Sequence, residues 1–177
     1  MVGFIIIGNQ NALTYKEIFQ LIKDNKIWLG INSNKTMEFS MPISYEKWDR
    51  IEGNRKYGKV PAISWFTNIP YVYDRKPLIL TKSYYDNPEA YPKYDNFDAI
   101  NVDKTCDIPM DYDGVMGVPI TFLDKYCPTQ FEILDLINRY MIFDYFGVNE
   151  EVRKKHSYCA NVNGKRMYSR ILIKRIK

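Results

Sequence analysis

The chain has 177 residues, of which 46% are hydrophobic and 26% are charged, so its composition is that of one folded domain and excludes an intrinsically disordered polypeptide. The sequence has no apolar run near the roughly 20 residues that a transmembrane helix needs, so we expect no membrane partner. Its three cysteines, Cys106, Cys127 and Cys159, form no close pair, which favours reduced thiols in the cytoplasm over a disulfide framework.

The net charge of +4 conceals two segments of opposite sign. Residues 86–114 contain eight acidic and two basic side chains, whereas residues 153–177 contain nine basic side chains and no acidic one. A basic segment of this density is common in phosphate-binding surfaces. It is equally common in an edge strand that lysine and arginine protect, and charge alone does not separate the two interpretations.

The first predicted element is a βα unit over residues 3–25. The apolar run Phe4–Ile7 predicts a strand covered on both faces, as in parallel α/β sheets, and the turn follows at Gly8–Asn11. Thr14 followed by Glu17 predicts a capping box at the start of an amphipathic helix. We expect that helix to end near Asn25 and to pack on the sheet.

The remainder of the chain is predicted to be richer in strands and more irregular. Residues 84–98 are expected to form an ordered loop, and residues 107–126 a loop that leads into a short helix at 120–126. The dipeptide Asn163-Gly164 predicts a tight hairpin turn between YCANV and KRMYSRILIKRI. The other predicted strands cover residues 36–41, 59–67, 77–82 and 99–103. Residues 131–137 fit either a strand or a helix, and the strand is favoured.

Metal binding and thiol catalysis have little support in the spacing of the ligand residues. His156 and Cys159 are three residues apart, but no second close pair of ligands accompanies them, as structural zinc sites usually require. Scattered cysteines are more often core residues than nucleophiles. We therefore predict no metal site.

Two loops resemble fragments of ligand-binding motifs. The turn after Phe4–Ile7 has one glycine, Gly8, rather than the repeated glycines of a nucleotide loop, and that glycine is explained by the turn itself. The stretch DIPMDYDG carries Asp107, Asp111 and Asp113, which match only part of a calcium loop. Turn formation and capping explain these aspartates more simply.

A third fragment, Asn68-Ile69-Pro70-Tyr71, resembles the tetrad of amino-group DNA methyltransferases. In that tetrad an Asn or Asp accepts hydrogen bonds from the exocyclic amine of a flipped base, and an aromatic ring stacks on the base. Here Ile69 replaces the first proline, and the sequence places the run after a hairpin rather than after a central strand. We expect it not to be catalytic.

Longer strings carry a wider resemblance. The most particular is YDGVMGVPITFLDKY (112–126), which lies within a matching segment at 87–133. The others are IIGNQNALTYKEIFQLIKDNKIWLG (6–30), ISWFTNI (63–69), LILTKSY (78–84) and NGKRMYSRILIKR (163–175). Together they resemble the C-terminal half of the EcoRI-type adenine-specific DNA methyltransferases, with the weakest similarity at 31–57 and 138–160.

The resemblance implies an S-adenosylmethionine-dependent enzyme that methylates N6 of adenine in duplex DNA. In that family a glycine-rich cofactor strand and an Asn-Pro-Pro-Phe tetrad precede the IIGN strand, and this sequence contains neither. We therefore expect an α/β fold in which residues 1–30 form part of a Rossmann-like methyltransferase sheet. Residues 31–177 would form a strand-rich, irregular target-recognition region packed as one domain with the first. We expect no catalytic residue and no cofactor bound by this chain alone.

The resemblance assigns double-stranded DNA as the partner. Asn side chains read adenine in the major groove, Arg and Lys contact phosphates, and aromatic rings stack on bases. The residues expected to contact DNA are Asn9, Asn11, Trp65, Asn68, Arg166, Arg170 and Lys174.

Each of these residues has a structural alternative. Asn9 and Asn11 are equally explained as caps of the turn and helix, Trp65 as a core residue, and Arg170 and Lys174 as solvated edge-strand residues. At the level of the protein, the main hypothesis is a portion of a methyltransferase that is inactive alone and works with a separate N-terminal half. The alternatives are a free-standing DNA-binding module or relic and, with less support, an interaction protein without DNA affinity.

Overall fold

The computed structural model describes residues 2–30, 36–70, 76–137 and 160–176. No helix within these ranges is long and apolar enough to cross a membrane. The fold is mixed α/β, with antiparallel strands predominating. The elements are β1 (Ile5–Asn9), α1 (Lys16–Lys23), β2 (Trp28–Leu29), β3 (Met37–Met41), β4 (Arg50–Glu52), β5 (Arg55–Val60), β6 (Ile63–Thr67), β7 (Ile100–Asn101), β8 (Met116–Pro119), β9 (Phe131–Ile137), β10 (Asn161–Val162), β11 (Lys165–Arg166) and β12 (Arg170–Arg175).

A small sheet with the order β1-β6-β2 contains the first predicted strand. Both of its ladders are antiparallel, with Ile7 opposite Trp65 and Leu29 opposite Phe66. The prediction of a parallel, fully covered strand at Phe4–Ile7 is therefore wrong for the described chain. The helix that follows β1 leads to β2, which pairs with β6 instead of β1, so no parallel crossover unit forms.

The start of helix α1 differs from the sequence prediction, whereas its end agrees with it. A 3-10 helix (Gln10–Thr14) precedes it, and its own N-cap is Tyr15, which makes no side-chain cap, so the Thr14 capping box is wrong. At the other end, Asn25 adopts φ 53°, and the amide of Lys26 donates to the carbonyl of Leu21 at 2.8 Å. This Schellman termination confirms the predicted end near Asn25.

The core is built on a four-stranded sheet with the order β7-β8-β12-β9. Its β7–β8 ladder is parallel and the other two are antiparallel. Strand β9 confirms the strand predicted at 131–137 and contains a bulge at Leu134, where the register with β12 shifts. Lys23 of α1 donates to the carbonyl of Leu134 at 2.6 Å, which satisfies a backbone group near the irregularity.

Helix α1 lies between the two sheets. Its Phe19 belongs to the apolar cluster of the four-stranded sheet, whereas Ile22 packs with Leu13, Leu29 and Phe66 beneath the small sheet. The small sheet thus includes residues from both sides of the boundary predicted at residue 30. Strands β1 and β2 precede that residue, and β6, which lies between them in the sheet, follows it.

A third sheet, with the order β3-β5-β4, contributes no residue to the apolar clusters of the described chain. Strand β3 confirms the strand predicted at 36–41. The strand predicted at 59–67 is two strands, because the chain turns at Pro61-Ala62 with Ala62 at φ 56°. The strand predicted at 77–82 does not form, and the short helix predicted at 120–126 is confirmed as a 3-10 helix (Ile120–Lys125).

Candidate nucleic-acid interface

The hairpin β10–β11 turns at Asn163 and Gly164, as predicted. Their φ values of 51° and 72° are those of a tight two-residue turn whose central residues are both left-handed. The carboxylate of Asp95 accepts from the amide of Asn163 at 3.0 Å and from that of Gly164 at 2.8 Å. Asp95, which belongs to the acidic segment, therefore fixes the hairpin that precedes the basic strand β12.

Beyond this turn the chain presents two cations and an aromatic ring to solvent. Lys165 and Arg166 are both exposed, and Tyr168, two residues further, is 91% exposed. We call Lys165, Arg166 and Tyr168 the hairpin patch. Cations of this kind contact phosphate oxygens, and an exposed phenol ring can pack on a sugar or a base.

Arg170, the next basic residue, is buried and serves a different purpose. It is 9% exposed, its Nε donates to Oδ1 of Asn101 at 3.2 Å, and its Nη2 lies 3.6 Å from Oδ1 of Asp103. The hydroxyl of Tyr94 donates to the same Asn101 oxygen at 2.8 Å, and burial raises the pKa of Tyr94. The guanidinium of Arg170 is therefore held inside the fold, and its expected contact with DNA stays a prediction.

Lys174 lies further along β12 and is exposed, opposite Glu132 of β9. Before Lys174, strand β12 does not alternate between buried and exposed side chains, because Ile171–Ile173 are all buried and covered on both faces. Among the basic residues of the described range 160–176, Lys165, Arg166 and Lys174 are thus exposed, Arg175 is half-buried and Arg170 is buried.

Asn9 and Asn11 flank the start of the 3-10 helix, and both are exposed. Asn9 Oδ1 accepts from the amide of Asn11 at 2.8 Å, so Asn9 caps the turn. The backbone carbonyl of Asn11 accepts from the hydroxyl of Thr14 at 2.8 Å. Because that bond uses the backbone, the side-chain amide of Asn11 is the better candidate for reading a base.

Trp65 lies at the middle of the β1–β6 ladder, and Asn68 lies just beyond one of its ends. Trp65 is half-buried and its Cβ packs so closely on Gly30 that a side chain there would collide. Asn68 follows β6, whereas Asn9 pairs with Ile63 at the opposite end of the ladder. With about 3.4 Å per residue, these ends are more than about 13 Å apart, so Asn9 and Asn68 are not in direct contact.

Sequence reasoning missed several exposed side chains. Tyr168 was included in one continuous strand, but the strand is interrupted at residues 167–169, and that break is what exposes the ring. Trp48 and Tyr45 beside β4 are also about half exposed, and Arg50 lies 4.1 Å above the ring of Tyr57. The polar residues interspersed among these aromatic side chains in 42–57 were the sequence signal that could have indicated their exposure.

Comparison with known proteins identifies the family. The family model described as "Adenine-specific methyltransferase EcoRI" matches residues 2–176. The chain belongs to this family. The resemblance inferred from the sequence is thereby confirmed.

Three type II methyltransferases are similar to the chain over 97% of its length. M.EcoRI of Escherichia coli is 46% identical over 177 residues, and the match covers 49% of that protein. M.MgeORF184P of Mycoplasma genitalium and M.MpnI of Mycoplasma pneumoniae are each 41% identical over 180 residues, with 56% of each covered. The chain therefore spans about half the length of the curated relatives it matches. No solved structure matches it.

In this EcoRI-type chain the run that begins at Asn68 follows β6, which is the central strand of the small sheet, so the expected position after a hairpin is wrong. Both ends of the Asn68 amide are nevertheless engaged. Its Oδ1 accepts from the amide of Phe4 at 2.8 Å, and its Nδ2 donates to the carbonyl of Val2 at 3.0 Å. The side chain thus ties the segment that enters β1 to the residue that follows β6, which is a structural role for both ends of the amide. Tyr71 lies outside the described residues.

The turn after β1 does not fit S-adenosylmethionine. Gly8 lies within the strand, where a Cβ would meet the ring of Phe66 at 3.2 Å, so this glycine serves packing rather than an open cradle. The next residue, Asn9, is already used as a cap. The turn after β1 therefore offers no open cradle for the cofactor.

The acidic loop is also organised by internal hydrogen bonds. Asp111 accepts from the hydroxyl of Ser83 at 2.5 Å and from the amide of Tyr84 at 2.6 Å, and the Ser83 bond in particular lowers the pKa of Asp111. Across the described ranges, no group of three or more His, Cys, Asp or Glu residues could hold a metal ion. His156 and Cys159 lie outside the described residues.

Proposed function

We propose that this chain is the DNA-recognition portion of an EcoRI-type adenine-N6 DNA methyltransferase. The observation that carries the proposal is the family match along residues 2–176, combined with coverage of only 49% of the M.EcoRI relative. The S-adenosylmethionine site and the catalytic tetrad would be supplied by another part of the enzyme. This chain alone would be inactive, and the intact enzyme would act on chromosomal DNA in the cytoplasm.

The geometry supports DNA contact at two exposed positions of the basic segment. The hairpin patch extends from a turn fixed by Asp95, and Lys174 is exposed on β12. Cations on such an ordered scaffold neutralise phosphates without sequence preference and set the register of the protein on DNA. Asn11, whose side chain is exposed, is the remaining candidate for reading a base, since Asn pairs with the N6 and N7 atoms of adenine.

The proposed inactivity follows from what Asn68 does. A methyltransferase tetrad must accept hydrogen bonds from the adenine amine, and both ends of the Asn68 amide already bind the backbone of residues 2–4. Freeing that side chain would break the connection between the end of β6 and the chain segment that enters β1. The amine-binding group is thus better assigned to the other part of the enzyme.

The test is a salt titration of duplex DNA binding by the purified chain and three single variants. Arg166→Gln and Lys174→Gln should each weaken binding and reduce the slope of log K against log salt by about 0.9 if each side chain neutralises one phosphate. Lys104→Gln is the matched control, because Lys104 is an exposed cation within the acidic segment. It should leave the slope unchanged.

Fluorescence anisotropy with a labelled duplex gives the affinities at each salt concentration. A wild-type chain with no measurable, salt-dependent affinity for duplex DNA would contradict the proposal. Equal slopes for all four proteins would remove the hairpin patch and Lys174 from the interface.

A further inference from the structure

The sheet β3-β5-β4 adds no side chain to the apolar clusters of the described chain, yet its two faces are clearly different. Residues directly opposite one another in an antiparallel ladder project on the same side. Ile51 and Met41 both lie opposite Lys56, and these positions belong to one face of the sheet. Arg50 lies opposite Tyr57 on the other face, which is polar.

An ionic network stiffens the polar face. The Nε of Arg50 donates to Glu38 at 2.7 Å, its Nη1 donates to Glu52 at 2.6 Å, and its guanidinium lies 4.1 Å from the centre of the Tyr57 ring. These four residues come from all three strands of the sheet. Exposed ion pairs add little to stability, but this set fixes the orientation of the hairpin formed by β4 and β5.

The turn of that hairpin projects into open space. Glu52 pairs with Arg55, so the turn consists of Gly53 and Asn54. Gly53 adopts φ 57°, and a positive φ at the first central residue is what a type II′ turn requires. A Cβ at Gly53 would meet nothing within 4 Å, and residues 51–55 are all exposed. We call β4, β5 and their turn the ribbon, and Asn54 and Arg55 its tip.

The tip carries two side-chain types that pair bidentately with DNA bases. Asn pairs with N6 and N7 of adenine, and Arg pairs with O6 and N7 of guanine. Arg50 is already bound to two carboxylates, whereas the described chain gives the side chains of Asn54 and Arg55 no hydrogen bond or ion pair. Their donors and acceptors are therefore open to the edge of a base.

The dimensions and charge of the ribbon also suit a DNA groove. Its two strands lie about 4.8 Å apart, and the major groove is roughly 12 Å wide and admits a two-stranded ribbon. Lys47, which precedes β4, and Lys59, in β5, are exposed and suited to phosphates at the edges of the groove. Asp49 accepts from the amide of Lys59, and the carboxylates that Arg50 binds are already neutralised.

We infer that the ribbon enters the major groove of DNA and that Asn54 and Arg55 are specificity-determining residues, which read an adenine and a guanine of the target. The inference rests on the proposed function. It adds a base-reading surface to the phosphate contacts proposed for the hairpin patch and to the base contact proposed for Asn11.

The experiment selects duplexes from a randomised pool with the purified chain and sequences the bound fraction. The wild type should enrich a motif that contains an adenine and a guanine position. Asn54→Ala should lower the preference for that adenine about tenfold, and Arg55→Lys should lower the preference for that guanine by a similar factor. Because lysine keeps the charge but lacks the planar fork of arginine, Arg55→Lys should retain the wild-type dependence of affinity on salt.

The matched control is Asn87→Ala, because Asn87 is an exposed amide within the acidic segment. This variant should enrich the wild-type motif with the wild-type affinity. Circular dichroism verifies that all variants fold, as expected for substitutions of exposed side chains.

The two positions of the tip are decided separately. A motif that is unchanged in Asn54→Ala or Arg55→Lys would overturn the role of that residue, and an equal loss of affinity for all sequences would assign it to phosphate contact instead. A wild-type chain that binds duplexes in a salt-dependent manner but enriches no motif would overturn the inference and leave the proposed function standing. No salt-dependent binding of duplexes at all would count against both.

Discussion

Strands β1 and β12 have similar apolar runs and opposite environments. The run Ile171–Leu172–Ile173 in β12 is fully buried between β8 and β9, whereas Ile5, Ile6 and Ile7 in β1 are each at least 50% exposed. The same residue type therefore contributes very differently to stability at the two sites. An apolar run therefore predicts a strand that is suited to burial. It does not predict whether other residues of the same chain bury that strand.

The two strands also differ in how neighbouring polar groups are used. Beside β12, Arg170, Asn101 and Tyr94 form a buried hydrogen-bonded network that fixes the sheet. Beside β1, Asn68 holds the backbone of residues 2 and 4 at the surface. One network completes a core, and the other holds the segment that enters an edge strand.

The largest expected effect comes from truncating the two runs in parallel. Ile171→Ala should lower the free energy of unfolding by ~2–5 kcal/mol, because it removes buried methyl groups and leaves a cavity. Ile7→Ala, the matched control, should cost less than about 1 kcal/mol in the isolated chain, since Ile7 is 50% exposed. Urea unfolding followed by circular dichroism measures both. Equal losses would break the comparison.

A glycine in each region tests packing density. In β8 the ring and hydroxyl of Tyr94 lie so close to Gly117 that a Cβ would overlap them, so Gly117→Ala should cost ~1–3 kcal/mol through overpacking. In β1 a Cβ at Gly8 would meet only the edge of the Phe66 ring, at 3.2 Å, so Gly8→Ala should cost less than about 1 kcal/mol.

The same urea titrations decide this pair. Combining Gly117→Ala with Tyr94→Leu should recover part of the Gly117→Ala cost, since residues in contact are coupled. Full additivity of the two substitutions would show that the close approach of Tyr94 and Gly117 is not the cause.

Sequence reasoning succeeded where the deciding signal lies within a few residues. The hairpin at Asn163-Gly164, strand β9 and the short helix after Pro119 follow from signals within a few residues, because a left-handed turn or an apolar run acts locally. The family was also recognised from short strings, and the match over residues 2–176 confirms it.

Failures of sequence reasoning arose where the deciding partner is far away in the chain. Arg170 was expected at the surface, but its partner Asn101 is 69 residues away. Where a strand was expected at 77–82, the distant side chain of Gln130 hydrogen-bonds both the amide and the carbonyl of Leu78, at 2.7 and 2.9 Å. The pairing of β1 with β6 likewise depends on contacts more than 50 residues apart.

A moderate effect is expected from Arg170→Met, which keeps the apolar stem and removes the guanidinium. Loss of the hydrogen bond to Asn101 should cost ~1–2 kcal/mol, offset in part because the charge is no longer buried. The salt slope of DNA binding should remain that of the wild type, in contrast to Arg166→Gln. A reduced slope in a folded Arg170→Met protein would show that Arg170 reaches DNA after all.

The smallest effect concerns pH and the loop that Asp111 holds. The pKa of Asp111 is lowered in the folded chain, mainly by the Ser83 hydroxyl, so its contribution to stability is present above its unfolded pKa and is lost as pH falls through the folded value. Asp111→Asn should therefore flatten the decline of unfolding free energy below about pH 4. Urea midpoints measured between pH 7 and the acid limit of folding provide the comparison, and identical acid profiles would contradict it.

The most direct test of the account is methyl transfer from labelled S-adenosylmethionine to duplex DNA. The purified chain should transfer no methyl group by itself, because the amine-binding tetrad and the methyl donor site are assigned to another part of the enzyme. Transfer should be observed only when that part is present. Methylation of adenine N6 by this chain without any added polypeptide would contradict the account.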